Sequence, residues 1–161
     1  MPIRLAHAED LTEVSEIFRE YAAWVGDAIC FQSFEQELAG LPGRYAEPEG
    51  RLLLAIVGDQ LAGCVALRKS EPNFGEMKRL YVRPAFRGTG LGRELVERVV
   101  EEARTAGYAS LRLDTLPRME RAIRMYRELG FREIPPYGDN PPEAICFKLI
   151  LSVYRPILKR R

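Results

Sequence analysis

Apolar residues recur along this chain with two periods, and those periods divide it into elements. Leu11, Val14, Ile17, Phe18 and Tyr21 fall at helical spacing within residues 9–25, and Leu91, Leu95, Val99 and Ala103 recur every fourth residue in a second, longer stretch reaching residue 105. A third set, Ala122, Met125, Tyr126 and Leu129, makes one face of a later helix. Residues 52–57 form a continuous apolar run, which suits a buried strand, and residues 110–114 alternate as a half-buried strand does. Strands are also predicted over 3–6, 60–69, 75–82, 131–134 and 144–151.

Breakers sit between these stretches. Gly26-Asp27 ends the first helix, Gly107 and Gly130 close the later two, and Gly58-Asp59 is a two-residue hairpin signal of the type II′ kind. Ser33-Phe34-Glu35-Gln36 reads as a capping box that opens a short second helix towards Leu41. Residues 42–50, 70–74 and 135–142 are rich in Pro, Gly and Asn and read as loops. The resulting order is β-α-α-β-β-β-α-β-α-β-β, an α/β chain with a mixed sheet and helices packed on it.

The 161 residues fit one domain spanning 1–161, without repeat or linker. Basic and acidic residues number 24 and 23, a balance that argues against a general nucleic-acid binder. The basic end, Lys159-Arg160-Arg161, reads as a solvated tail. Cys30, Cys64 and Cys146 are odd in number and widely spaced, which argues against a disulfide framework. His7 is the single histidine, so neither a His-rich metal cluster nor a histidine-based triad is expected, and no metal. No apolar run is long enough to span a bilayer, and a cytoplasmic location is the default expectation.

The most informative segment is Leu80-Tyr81-Val82-Arg83-Pro84-Ala85-Phe86-Arg87-Gly88-Thr89-Gly90-Leu91-Gly92, where a strand runs into a glycine loop that opens a helix. N–H groups at a helix start lack intrahelical partners and carry partial positive charge. Glycines admit close approach of an anion, and Arg87 adds a fork of charged donors. The construction suits a pyrophosphate, although such a loop by itself is also an ordinary turn. A Walker loop would need Gly-Lys-Ser/Thr, which is absent, and the glycines stand as GxGxG rather than GxGxxG.

ArgxxGlyxGly at Arg87, Gly90 and Gly92, together with the downstream AxxxYxxxGF helix from Ala122 to Phe131, resembles the GCN5-related N-acetyltransferase (GNAT) family, and the likeness runs from end to end. The resemblance implies an enzyme that moves an acetyl group from acetyl-CoA to a primary amine of a small molecule, amino acid or peptide by direct attack. It implies that the fourth and fifth strands part to admit the pantetheine arm. Leu80, Tyr81 and Val82 would then line that arm, and Arg87, Gly88, Thr89, Gly90, Leu91 and Gly92 would hold the pyrophosphate. It also implies Glu76 as general base and Tyr126 as the acid that protonates the leaving thiolate. By pattern alone Glu76 is a solvated strand-edge residue and Tyr126 a core tyrosine. Many family members carry Asn where this chain has Met119, which puts the lower-arm contacts in doubt.

Candidate acceptor-pocket residues lie near 24–34 and 135–143. Trp24, Phe31, Phe34 and Tyr137 offer an apolar wall, Asp27, Asp139 and Glu143 offer anions for a cationic amine, and Arg44 offers a partner for a carboxylate. Both signs of charge are present, so a free amino acid, a polyamine, a drug-like amine and a peptide N-terminus all stay open, as does the acyl chain. A non-catalytic acetyl-CoA-binding regulator, or a structural domain of the same fold, are the competing readings. The last strand and the tail from Ser152 offer an edge for a homodimer.

Overall fold

The computed structural model of the chain describes residues 2–26, 31–138 and 140–153. Strands β1 (Ile3–Leu5), β2 (Arg51–Val57), β3 (Gln60–Glu71), β4 (Phe74–Val82), β5 (Ser110–Thr115), β6 (Arg132–Ile134) and β7 (Ile145–Ile150) form one sheet in the order β1-β2-β3-β4-β5-β7-β6. Helices α1 (Leu11–Val25), α2 (Phe31–Ala39), α3 (Leu91–Thr105) and α4 (Glu120–Glu128) complete the expected order. All neighbours are antiparallel except β4 and β5.

Strand alternation sorts the core onto the two faces of the sheet. Leu53, Ala55, Val65, Leu67 and Met77 pack with Leu91, Leu95, Val99 and Ala103 of α3 and with Tyr126 of α4. Leu52, Leu54, Cys64, Ala66 and Tyr81 pack on the opposite face, against Val14, Ile17 and Phe18 of α1 and Phe34 and Leu38 of α2. The central strands are covered on both sides, which is why β2 reads as an unbroken apolar run rather than an alternation.

Two boundaries differ from those the sequence predicts. Ser33 lies inside α2 and does not cap it. Residues 70–74 are not a loop: β3 and β4 run on to pair Glu71 with Phe74, leaving only Pro72 and Asn73 as the turn. Asn73 takes φ 71°, and Pro followed by a residue at positive φ suits a type II turn. The turn at Gly58 behaves as expected, with φ 63° at the glycine.

The feature that shapes the site is where β4 and β5 stop pairing. Their ladder holds Phe74 to Ser110, Gly75 to Leu111 and Glu76 to Arg112, and no further. Beyond it the two strands part, and a gap opens between Met77–Val82 on one side and Leu113–Thr115 on the other. A bulge on the opposite edge of β4 sharpens the bend, since Cys64 pairs with Tyr81 and Ala66 with Lys78, which leaves Arg79 and Leu80 facing Val65 alone. Arg79 sits there at φ 62°, unusual for a residue with a side chain.

Candidate active site

A cleft of about 1270 Å³ follows the gap in the sheet. At one end lies the glycine loop. After β4, a 3₁₀ turn at Pro84–Phe86 leads into Gly88 at φ 81° and Gly90 at φ 83°, the latter at the N-cap of α3. A Cβ at either glycine would meet no atom within 4 Å, so the left-handed backbone, not crowding, calls for glycine there. The result is a run of main-chain donors. Among the described residues, the N–H groups from Gly88 through Arg93 donate to no backbone carbonyl, and the first bond of α3 is Glu94 N–H to Gly90 O. Thr89 donates its hydroxyl back to Phe86 O, which braces the loop.

Arg87 donates Nε to Val82 O at 2.8 Å, and its guanidinium lies 5.3 Å from the Trp24 ring centre and 5.4 Å from that of Tyr81. The side chain therefore stands over the gap and reaches across to α1. Leu80, Tyr81, Val82, Leu91 and Gly92 also line the cleft, so the structure brings these predicted cofactor residues onto one wall. Thr89 is beside them in the chain but is not part of that wall.

Tyr126 lines the cleft, whereas Glu76 does not: it lies on the other face of the sheet, in the last paired rung of the β4–β5 ladder. Tyr126 comes from α4, its ring between Phe131 at 5.7 Å and Phe147 at 6.1 Å, and it lines the cleft. It is buried, and no hydrogen-bond partner holds its hydroxyl among the described residues, yet it is not one of the sealed unpartnered atoms, Tyr45 Oη and Arg112 Nε. Burial first, then the neighbouring Tyr21 and Asp114, pushes its pKa above the ordinary phenol value.

Glu76 is only 4% exposed, contrary to its reading as a solvated edge residue. It faces Arg68 directly across the β3–β4 ladder and accepts Arg68 Nε on Oε1 at 2.8 Å, while the Tyr137 hydroxyl donates to Oε2 at 2.9 Å. Burial raises its pKa, but the charges of Lys78 and Arg68 and these hydrogen bonds outweigh that and hold it below the usual carboxylate value. Arg112, stacked between the rings of Phe74 at 4.3 Å and Tyr137 at 4.2 Å, fixes the tyrosine that caps Glu76.

Of the predicted acceptor-pocket residues, Trp24, Phe34 and Arg44 line the cleft. Tyr137 instead covers Glu76, and Glu143 is exposed outside the cleft wall. Asp27, Asp139, Cys30 and the basic tail lie outside the described residues, as does the side chain of Phe31. Met119 lines the cleft at the N-cap of α4, where its sulfur receives the Thr115 hydroxyl at 3.6 Å. Cys64 and Cys146 are buried free thiols, and burial pushes that of Cys64 up to about 12.

Sequence reasoning missed polar residues of this wall, among them Arg68, Lys78, Arg79 and Asp114. Lys78 Nζ stands 3.2 Å from Asp114 Oδ1, and Arg79 makes a two-point pair with Glu37 of α2 at 2.9 and 2.8 Å. The carboxylate of each pair comes from another element, so only the fold brings it to its partner. Among the described residues there is no group of side chains that could hold a metal ion, and no helix long and apolar enough to cross a membrane.

Known proteins share both the fold and the sequence. The chain superimposes on an acetyltransferase of the GNAT family from Staphylococcus aureus with a TM-score of 0.78 at 19% identity, covering 92% of this chain and 98% of the other. The PaiA N-acetyltransferase of Thermoplasma acidophilum, solved in complex with coenzyme A, matches with a TM-score of 0.69 at 19% identity, covering 92% of this chain and 97% of the other. An uncharacterized N-acetyltransferase of Schizosaccharomyces pombe is 37% identical over 147 residues, covering 89% of this chain and 90% of its own length. The sequence profile of the acetyltransferase (GNAT) family matches residues 11–131, which takes in the glycine loop, the parted strands and the tyrosine helix, and this chain belongs to that family.

Proposed function

We propose that the chain binds acetyl-CoA in the parted sheet and transfers its acetyl group to a primary amine. One observation carries this reading: among the described residues, the N–H groups from Gly88 through Arg93, at the start of α3 and at the end of the gap, have no backbone acceptor. Such a run, with Arg87 beside it, suits a diphosphate. The exposed edge of β4 from Leu80 to Val82 suits the amide-bearing arm of the same molecule, as an added strand suits an unpaired sheet edge.

The chemistry then falls to two side chains on opposite faces of the sheet, Tyr126 in the cleft wall and Glu76 behind it. The amine nitrogen forms its bond to the acyl carbon, the carbon–sulfur bond breaks, and one proton must leave the nitrogen while the thiolate takes up another. Tyr126 supplies that second proton, since its raised pKa keeps the phenol protonated at neutral pH. Glu76 takes the first. Both its oxygens already hold a partner, so the proton reaches it through water or through the Tyr137 hydroxyl. The bulge at Arg79 and Leu80 takes backbone donors out of the β3 ladder at the centre of β4, where charge on the acyl oxygen develops. Acceptor binding falls to the α2 end of the cleft, and the cosubstrate to the α3 end.

The test is thermal denaturation with and without acetyl-CoA, followed by an assay of free CoA release with an amine panel. Saturating acetyl-CoA at 100 times its dissociation constant should stabilise the fold by about 2.7 kcal/mol. No shift at millimolar acetyl-CoA overturns the proposal. A shift without CoA release for any amine would instead favour a binding protein over an enzyme.

A further inference from the structure

The two ends of the cleft differ in charge, and the difference selects among acceptors. At the α2 end the carboxylates are already engaged. Glu37 is held at two points by Arg79, and Asp114 by Lys78. Glu76, behind this wall, is held by Arg68. The remaining carboxylate on the cleft wall among the described residues, Glu120, belongs to the first turn of α4 rather than to α2 or β4. A cationic amine entering at the α2 end therefore finds no free carboxylate among the described residues.

The cations are not all engaged. Arg68 gives Nε to Glu76, while its terminal nitrogens have no partner among the described residues, and the side chain lines the cleft at 24% exposure. Its plane is fixed by the Glu76 contact, so the open edge of the fork is held in place before any ligand arrives. Arg44 also lines the cleft and pairs with no carboxylate among the described residues. It donates Nη2 to the carbonyl of Lys69, the residue after Arg68 on β3, at 2.6 Å, and both arginines line the same cleft.

We infer that the acceptor amine carries a carboxylate, as a free amino acid does, and that Arg68 and Arg44 together hold that carboxylate at the α2 end of the cleft. The inference rests on the acetyl-transfer reading above and narrows its acceptor. Binding the carboxylate also orients the amine. Anchored on Arg68, the substrate nitrogen lies on the face of the sheet that carries Glu76, with the gap and Tyr126 beyond it.

The experiment compares amino acids with the amines left when their carboxylate is removed, in the CoA-release assay and corrected for the fraction of free amine. Removing the carboxylate should lower kcat/KM by about 10- to 150-fold, the range for one charge-assisted contact. Arg44→Gln should raise KM for the amino acid about tenfold or more, leave KM for acetyl-CoA unchanged, and barely affect the decarboxylated amine, while Arg68→Lys should raise KM for the amino acid at least as much and leave KM for acetyl-CoA unchanged. Arg44→Gln leaves the Arg68–Glu76 pair intact, so it reads carboxylate binding even where Arg68→Lys disturbs the base. Equal kcat/KM for the paired amines, failure of every carboxylate-bearing amine, or wild-type KM in both variants overturns the inference while acetyl-CoA still stabilises the protein. Loss of that stabilisation removes the acetyl-transfer reading, and this inference with it.

Discussion

Lys78 and Asp114 face each other across the point where β4 and β5 part, Nζ to Oδ1 at 3.2 Å, with each side chain 16% exposed. The strands have lost their main-chain ladder there, so a side-chain contact takes over where backbone pairing ends. Removing one partner leaves the other charge half-buried and alone, a cost of about 1–3 kcal/mol. Asp114→Asn should therefore lower the guanidinium unfolding midpoint, and the double variant with Lys78→Met should recover part of the loss. Single variants with wild-type midpoints would mean that the bridge contributes nothing.

Tyr126→Phe separates chemistry from packing. The ring keeps its contacts with Phe131 and Phe147, and its hydroxyl has no protein partner to lose among the described residues, so stability should change by less than about 1 kcal/mol. Turnover should fall by about 10²–10⁴, the contribution of a general acid, with KM for acetyl-CoA within a few-fold of wild type. Steady-state CoA release and a thermal melt measure both. An unchanged kcat removes Tyr126 from the chemistry.

The order of elements and the glycine loop were legible because each depends on neighbours in the chain. Gly88 and Gly90 announce a left-handed backbone, and the spacing of Leu91, Leu95 and Val99 announces the face of α3 that packs on the sheet. The α2 end of the cleft was not legible, because it depends on register. Arg68 meets Glu76 only if β3 and β4 are joined by the tight turn at Pro72 and Asn73, and those residues read as a loop. The burial of Glu76 was hidden for the same reason: a carboxylate on a strand reads as solvated until the cation opposite it is known. Arg79 gave no signal either, since a bulge is a property of two strands together.

Glu37 and Arg79 allow the bulge to be tested. Arg79 holds its unfavourable φ of 62° while its guanidinium makes two hydrogen bonds to Glu37 and lies over the rings of Tyr21 at 5.4 Å and Phe34 at 5.5 Å. Breaking such a largely buried pair from one side costs about 3 kcal/mol. Glu37→Gln should lower the urea midpoint by that measure. Arg79→Gly relieves about 1 kcal/mol of backbone strain but loses the pair and the ring contacts, so it too should destabilise, though by less than the sum of the lost contacts. A glycine variant more stable than wild type would show that strain outweighs the pair.

The pH dependence of stability tests Glu76. Burial alone would raise its pKa, and the positive charges of Lys78 and Arg68, with hydrogen bonds from Arg68 and Tyr137, bring it below the unfolded value of 4.5 instead. A depressed folded pKa contributes stability that is complete above the unfolded pKa and is lost as pH falls through the folded one. Wild type should therefore exceed Glu76→Gln in stability at neutral pH, and the difference should shrink as pH falls below about 4.5. The carboxylate stays ionised through the neutral range, so it adds no limb to the rate profile there, and any rise of kcat/KM with pH follows deprotonation of the amine. Denaturant midpoints of both proteins from neutral pH down to about pH 3 measure the trend. A gap that widens in acid would mean that Glu76 is held above its unfolded value, and the carboxylate would then be protonated by its burial rather than poised by Arg68.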